Sequence, residues 1–385
     1  MPVFIYVLGL AVFAQGTSEF MLSGLVPGIA RDLSVSVGAA ASLTSAYAVG
    51  MIVGAPVMAA LSARWPRRRA LAAFLFAFVI VHVIGAVTTD FTVLFATRVV
   101  AAIVNAGFLA VAMSVATALV PPARQARATA VLLSGVTLSC AAGVPAGALL
   151  GDLSGWRSAF WAVAALCLPA LALVFRSAPT DAAGRHDVSV RQETRTLKSR
   201  SVQSALVLAA VVNGATFATF AYLAVIATDV AHLPDGAVPG LLAAFGIGAF
   251  LGVNAAGRAA HGQLRQGMLL ALWVLPVGWG LLAMTSTQTA PLFVVTVVQG
   301  GLSFGIGSAL VNRVMLVASD APSLSGSFAT VALNAGAFLG PLLAGAVTET
   351  TGDYRHAAWV STALATTAIA AVAVSRLSSA QPRST

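Results

Sequence analysis

Glu19, in the string AQGTSEFM, is flanked by apolar turns on both sides, and Arg98, in LFATRVV, is the only basic residue deep within an apolar run. The other eleven of the twelve acidic residues fall in loops or at the ends of such runs. A carboxylate placed this way must face a cavity or a partner, because hydrocarbon cannot solvate it, and ionisable groups at membrane depth carry function by default. The chemistry open to it is the uptake and release of a proton. Glu19 lies six residues before the end of the first run and Arg98 six residues after the start of the fourth. At the rise of an α-helix each is therefore about 9 Å below the same boundary. At matching depth the two can pair, and a conformational change that altered their separation would make Glu19 take up or release a proton. A structural hydrogen-bond anchor at Glu19 and a static ion pair fixing helix register are the plainer alternatives, and both stay open.

The elements that must hold these residues are membrane helices. The chain is 59% hydrophobic and 9% charged, whereas a soluble globular domain carries about 25% charge. Apolar runs of the length needed to cross hydrocarbon recur near 3–25, 39–62, 70–88, 92–118, 127–150, 157–176, 203–228, 238–257, 268–286, 291–313, 325–347 and 356–376. The expected fold is an all-α membrane protein of twelve helices. A shift of 198 residues aligns the chain with itself without a gap. Arg157, Ala159, Trp161, Ala165 and Leu166 fall on Arg355, Ala357, Trp359, Ala363 and Leu364, and Gly50, Gly54 and Gly147 fall on Gly248, Gly252 and Gly345. Two six-helix bundles are thus related by a parallel repeat, an organisation that points to a transporter. The expected units are 1–176, a polar linker at 177–202, and 203–385. The first run has no basic leader or cleavage pattern and reads as a retained span.

The net charge of +9 follows from topology. With the N-terminus inside, only Arg31, Arg157 and Arg355 fall on outer loops, while every other basic residue except Arg98 falls on the inner side. Both termini are then cytoplasmic, and the basic residues meet anionic lipid, with no need of nucleic acid. Heavy arginine and alanine usage against a single lysine suggests a bacterial source, hence its inner membrane.

The second copy carries Phe217 where the first has Glu19, so proton chemistry belongs to the first copy. Asn213, Phe217, Phe220, Tyr222, Phe245, Gln299 and Asn334, together with Gln15, Tyr47 and Asn105 of the first copy, are the candidate substrate surface. Amides and aromatic rings suit an uncharged, partly aromatic ligand, although single aromatics in spans more often serve packing. Gly143, Pro145 and Gly147 in GVPAGALLG, and Gly340 and Pro341 in the eleventh span, allow close helix approach, for gating or for packing alone. A phosphate-binding loop is excluded, since Lys198 is the only lysine and no GxxxxGK[ST] string exists. HExxH and GxSG strings are missing, the five histidines have no metal spacing, and Cys140 and Cys167 lie within spans. No enzyme activity, cofactor or metal is expected.

Several strings carry a family likeness. GTSEFMLSGLVPGIARDLSVS, ALSARWPRRRAL, Arg98 in LFATRVV, and GVPAG followed by GWRSAFW together resemble the twelve-span drug:proton antiporters of the major facilitator superfamily, over essentially the whole chain. YVLGLAVFAQGTSEFMLSGL, NAGFLAVA and NGATF are similar to the chloramphenicol-resistance exporters within it. The resemblance implies efflux of a small hydrophobic drug, chloramphenicol first, in exchange for protons by a monomer. In it Glu19 would carry the proton, Arg98 would modulate it, and Arg64, Arg67, Arg68 and the span-five glycines would gate. The loop motif departs from the family pattern in having Ala63 for Asp and Ala59 for Gly, with His261 at the matching Asp position of the second half. A sugar or nucleoside-like substrate, or a membrane sensor that moves nothing, are the rival readings.

Overall fold

The computed structural model describes residues 2–62, 65–177, 194–258, 261–318 and 325–380. Among these residues the chain is helical throughout its elements and has no strand, as a lipid-embedded backbone with no water to bond must be. Helix α1 runs as Val3–Phe20 and Leu22–Asp32 with a break at Met21, α2 is Val37–Ser62, α3 is Arg67–Val87 and α4 is Phe91–Ala118. Helix α5 comprises Pro122–Leu138, a wide π turn at Ser139–Gly143, and Val144–Ser154, and α6 is Arg157–Ser177. In the second half α7 comprises Arg200–Phe220, Leu223–Val225 and the π turn Ile226–Val230, α8 is Val238–Arg258, α9 is His261–Thr285, α10 is Thr289–Val317, α11 is Ser325–Thr351 and α12 is His356–Ala380. The twelve-helix expectation holds. Among the described residues ten helices are long and apolar enough to cross a membrane, α9 adds the apolar stretch Leu270–Thr285, and α12 completes the set. Most of the expected 177–202 linker lies outside the described residues, and Thr194–Lys198 forms a short 3-10 helix.

Local sequence explains the main irregularities. Asp90 caps α4 by accepting from the Val93 backbone N–H at 3.0 Å. The π turn in α5 directly precedes Pro145, which offers no N–H to the carbonyl one turn back, so the helix widens there instead of breaking. The first span was expected to end near residue 25, yet its helix continues past Pro27 to Asp32. The outward faces are apolar: on α9, Leu270, Trp273, Val277, Leu281 and Met284 form one exposed stripe at helical spacing.

The repeat seen in sequence recurs as packing. A β-carbon on Gly50 would meet the Val99 carbonyl of α4, and one on Gly54 would meet the Ile103 backbone. At the same shift, a β-carbon on Gly248 would meet the Val297 carbonyl of α10, and one on Gly252 would meet Gly301. In both halves glycine lets the second helix lie on the backbone of the fourth.

The halves meet toward their arginine-poor end. There Ser36 donates to Glu349 Oε1 at 2.7 Å, Ser45 of α2 donates to the Phe338 carbonyl of α11 at 2.8 Å, and Gly246 of α8 lies against the Cys140 carbonyl of α5. The same end carries a clamp within the first half. Arg157 pairs with Asp32, bonds the Thr88 carbonyl at 2.9 Å and lies over the Trp156 ring, whose Nε1–H also donates to Asp32 at 3.1 Å. These hydrogen bonds hold the Asp32 carboxyl below its ordinary range.

Two outcomes follow from this packing. Gly248→Val should overpack the α8–α10 contact and cost about 1–3 kcal/mol, read as a lowered melting temperature of the purified protein. A carboxyl depressed in the folded state stabilises above its unfolded pKa of about 3.9 and loses that contribution as pH falls through the lower folded value. Asp32→Asn should therefore cost less than about 1 kcal/mol at neutral pH, since the pair is partly exposed, and should match wild type at strongly acidic pH. Thermal melts across pH check both.

Candidate functional site

Between the halves lies a small cavity lined by Glu19, Thr44, Tyr47 and Ala48 from the first half and Phe217, Asn334 and Ala337 from the second. Helix α1 presents Glu19 half-buried, and among the described residues nothing hydrogen-bonds its carboxylate. Beside it Phe20 turns across the interface, with ring centroids 6.1 Å from Phe217 and 6.4 Å from Phe304. Phe217 contacts Phe220 at 5.8 Å, and Phe220 and Phe304 both pack on Phe245, at 4.7 and 5.9 Å. The result is a carboxylate next to a wall of aromatic rings. The cavity has room for about one water molecule, far below the ~300–1,000 Å³ of sites that enclose drug-sized ligands. A ligand of that size needs the halves to part.

Arg98 is 1% exposed and does not pair with Glu19. Its Nη1 donates to Ser18 Oγ at 2.8 Å and its Nη2 to the Ser18 carbonyl at 2.6 Å. The guanidinium lies over the Tyr47 ring at 4.6 Å and near that of Phe160 at 5.7 Å. Ser18 Oγ in turn lies 2.6 Å from His82 Nε2, and His82 Nδ1 lies 2.7 Å from the Phe78 carbonyl. The expected and the observed partner of Arg98 are thus one residue apart: the cation takes Ser18 and leaves its neighbour Glu19 to the cavity. The sequence argument rested on depth alone, which carries no information on which side of α1 each residue faces.

The other candidate residues divide between the cavity and the bundle interiors. Glu19, Tyr47, Phe217 and Asn334 reach the cavity, with Phe220 and Phe245 behind Phe217. Asn105 donates to Tyr47 Oη at 2.8 Å and so braces a cavity residue. Gln15 is 1% exposed and neither amide atom has a partner. Asn213 donates to the Leu333 carbonyl at 2.7 Å, and Gln299, fully buried, donates to the Leu275 carbonyl at 3.1 Å inside the second bundle. Tyr222 sits at the arginine-poor seam, donating to the Pro341 carbonyl at 3.4 Å and stacking with Tyr354. Gly143 and Gly147 admit Thr17 and Met21 of α1, so they tighten the first bundle, while the preceding Cys140 and Ala141 face Gly246 across the halves. Arg67 and Arg68 are half-buried at the start of α3, and Arg64, Ala63 and the side chains of Ala59 and His261 lie outside the described residues.

Sequence reasoning missed Thr44, Ala48 and Ala337 on the cavity wall, Phe20 and Phe304 in the aromatic cluster around Phe217, and Ser18 and His82 on the Arg98 side of α1. Small and aromatic residues in spans leave no individual signal. His82 did leave one: it is an ionisable side chain within a span, the same criterion that singled out Glu19 and Arg98.

Comparison with known proteins places this geometry. Residues 8–332 match the family model described as Major Facilitator Superfamily. The chain is 49% identical over 372 residues to a chloramphenicol resistance protein of Streptomyces lividans, covering 96% of this chain and 95% of that one. It is 36% identical to an inner membrane transport protein of Escherichia coli, covering 88% of this chain and 87% of that one. It is 30% identical to a chloramphenicol efflux pump of Mycobacterium tuberculosis, covering 88% and 84%. Among solved structures, a bacterial homologue of the human lysosomal transporter Spinster, inward-facing and occupied, superimposes with a TM-score of 0.76 at 16% identity over 97% of this chain and 96% of that one, which speaks to the fold. The chain belongs to the Major Facilitator Superfamily.

The cavity wall makes a prediction of its own. Tyr47→Phe removes the acceptor of Asn105 and leaves a buried amide with only the Met51 sulfur at 3.7 Å, so stability should fall by about 1–3 kcal/mol. The ring face beneath Arg98 is retained. A thermal melt of Tyr47→Phe beside the double variant Tyr47→Phe/Asn105→Leu checks this, with the second change expected to restore part of the loss.

Proposed function

From membership of this transporter superfamily we propose that the protein exports a small uncharged drug, chloramphenicol first, in exchange for protons. The observation that carries the reading is Glu19: a carboxylate free of hydrogen-bond partners among the described residues, opening on the cavity where the two halves meet. Such a group binds a proton or supports a ligand according to which face of the membrane the cavity opens to. The relatives named for chloramphenicol support the choice of drug. So does the wall, where Phe217, backed by the rings of Phe20 and Phe220, offers stacking to an aromatic ring and Asn334 and Tyr47 offer polar groups.

The proposed organisation is 1–176 and 203–385 as two bundles moving about the cavity. The protein acts as a monomer in the bacterial inner membrane with both termini cytoplasmic. With that orientation the arginine-poor contacts Ser36–Glu349, Ser45–Phe338 and Gly246–Cys140 are the outer gate, closed here. Opening it while closing the arginine-rich end exposes Glu19 to the outside, where protons enter and the drug leaves. Interactions that differ between these two states are what convert the gradient into export.

Expression in a sensitive host should raise tolerance to chloramphenicol and lower accumulation of the labelled drug, and a protonophore should abolish the difference. Glu19→Gln keeps size and hydrogen bonding but not the proton cycle, so gradient-driven export should be lost while downhill exchange survives. Active export by Glu19→Gln at the wild-type rate, or unchanged tolerance with confirmed membrane expression, would refute the reading.

A further inference from the structure

His82 of α3 takes no part in the proposed cycle, yet it is 1% exposed and its two ring nitrogens are both engaged. Those contacts fix every proton in the chain of hydrogen bonds that ends on Arg98. The Phe78 carbonyl can only accept, so Nδ1 carries the hydrogen. Nε2 therefore presents its lone pair, and the Ser18 hydroxyl, 2.6 Å away, donates to it. With its hydrogen committed to His82, Ser18 Oγ turns a lone pair to Arg98 Nη1 at 2.8 Å. The ring cannot rotate out of this arrangement, because Phe78 lies 4.1 Å and Phe160 5.8 Å from it, centroid to centroid.

We infer that His82 is the positioning residue for Arg98: as a neutral acceptor it orients Ser18 so that the guanidinium is held on the Ser18 side of α1 and off the Glu19 carboxylate. The inference rests on the reading of Glu19 as the proton carrier. The groups that face His82 are few. From α4 there is the Arg98 guanidinium, from α1 the Ser18 hydroxyl, and from α6 the Phe160 ring. A charged imidazolium there would point a second donor and a second positive charge at Ser18 Oγ beside Arg98, so the arrangement holds only with the ring neutral. Glu19 and Ser18 are adjacent on one helix, so the two groups that could partner Arg98 lie one residue apart. Without the Ser18 hydroxyl lone pair aimed at it, this buried cation keeps only the Ser18 carbonyl and the Tyr47 ring face, and the anionic partner then open to it is the Glu19 carboxylate. The second half has no such arrangement: at the 198-residue shift Ser18, His82 and Arg98 become Thr216, Gly280 and Thr296. The relay is confined to the half that carries Glu19.

The test uses full-length protein in proteoliposomes, with export of labelled chloramphenicol followed against pH under a fixed gradient. His82→Leu removes the acceptor, releases Arg98 onto Glu19 and holds that carboxylate charged, so half-maximal export should move toward acid by about one pH unit or more. His82→Gln keeps an acceptor oxygen for Ser18 and a donor for Phe78, and should restore the wild-type profile. Ser18→Ala breaks the same relay at its middle and should shift the profile in the same direction, which carries the test if His82→Leu does not fold. Labelling of Glu19 by a hydrophobic carbodiimide, which reacts with the protonated carboxyl, should slow several-fold at a given pH in His82→Leu and Ser18→Ala. That readout is independent of transport. If wild-type export ignores the gradient while the labelling still slows, the proton-carrier reading fails and the positioning role stands. Wild-type pH profiles and labelling rates in both folded variants would overturn the role of His82.

Discussion

The structure is organised around the difficulty of keeping one positive and one negative charge inside an apolar bundle. Hydrocarbon cannot solvate either, and an unpaired ion at that depth is among the most costly features a protein can carry. Arg98 is accommodated by two oxygens of Ser18 and the face of Tyr47, while Glu19 opens on the cavity between the halves. The two are thereby kept apart although Ser18 and Glu19 are adjacent on α1. A tight Arg98–Glu19 pair would be the simpler way to bury both, but it would also silence the carboxylate. Giving the cation a neutral partner leaves Glu19 available to a proton or a ligand, and the surrounding small residues, aromatic walls and hydrogen-bond donors can be understood from that separation.

Close backbone approach is the second constraint, and it serves both rigidity and motion. Within each half, Gly50 and Gly54, or Gly248 and Gly252, bring the second helix onto the backbone of the fourth, which fixes the framework that holds Arg98 and Asn105. Between the halves, contact depends on weaker pieces: hydrogen bonds of serine to Glu349 and to the Phe338 carbonyl, and the fit of Gly246 on Cys140. Among the described residues the seam has no charge pair, which suits the proposed parting of the two halves. The π turn before Pro145 sits where α5 touches both neighbours, α8 through Cys140 against Gly246 and α1 through Gly143 against Thr17.

Much of this was legible in the sequence because membrane folds write their rules plainly. Apolar length located the twelve helices, the ungapped repeat located the two halves, and the Gly50/Gly248 pairs that made the repeat visible are the same residues that pack. Glu19 and Arg98 stood out as charges within spans. What the sequence left open was direction around the helix axis: nothing in AQGTSEFM says that Ser18 faces Arg98 while Glu19 faces the cavity. Gln299 and Asn213 looked like ligand groups because amides in spans are scarce, and both instead bond backbone carbonyls inside the second bundle. His82 was passed over because histidine was judged by metal spacing, when its isolation in a span was the informative fact. Phe20 and Phe304 were hidden among 19 phenylalanines, where only the fold can single out those that cross the interface.

The central claim is that drug and proton compete through Glu19, and its most direct test is proton release on ligand binding. Purified protein in weakly buffered detergent solution, titrated with chloramphenicol in the presence of a pH indicator, should release protons in step with occupancy, and Glu19→Gln should bind without releasing any. Saturable chloramphenicol binding to the wild-type protein with no change in solution pH, across the range in which export operates, would contradict the account.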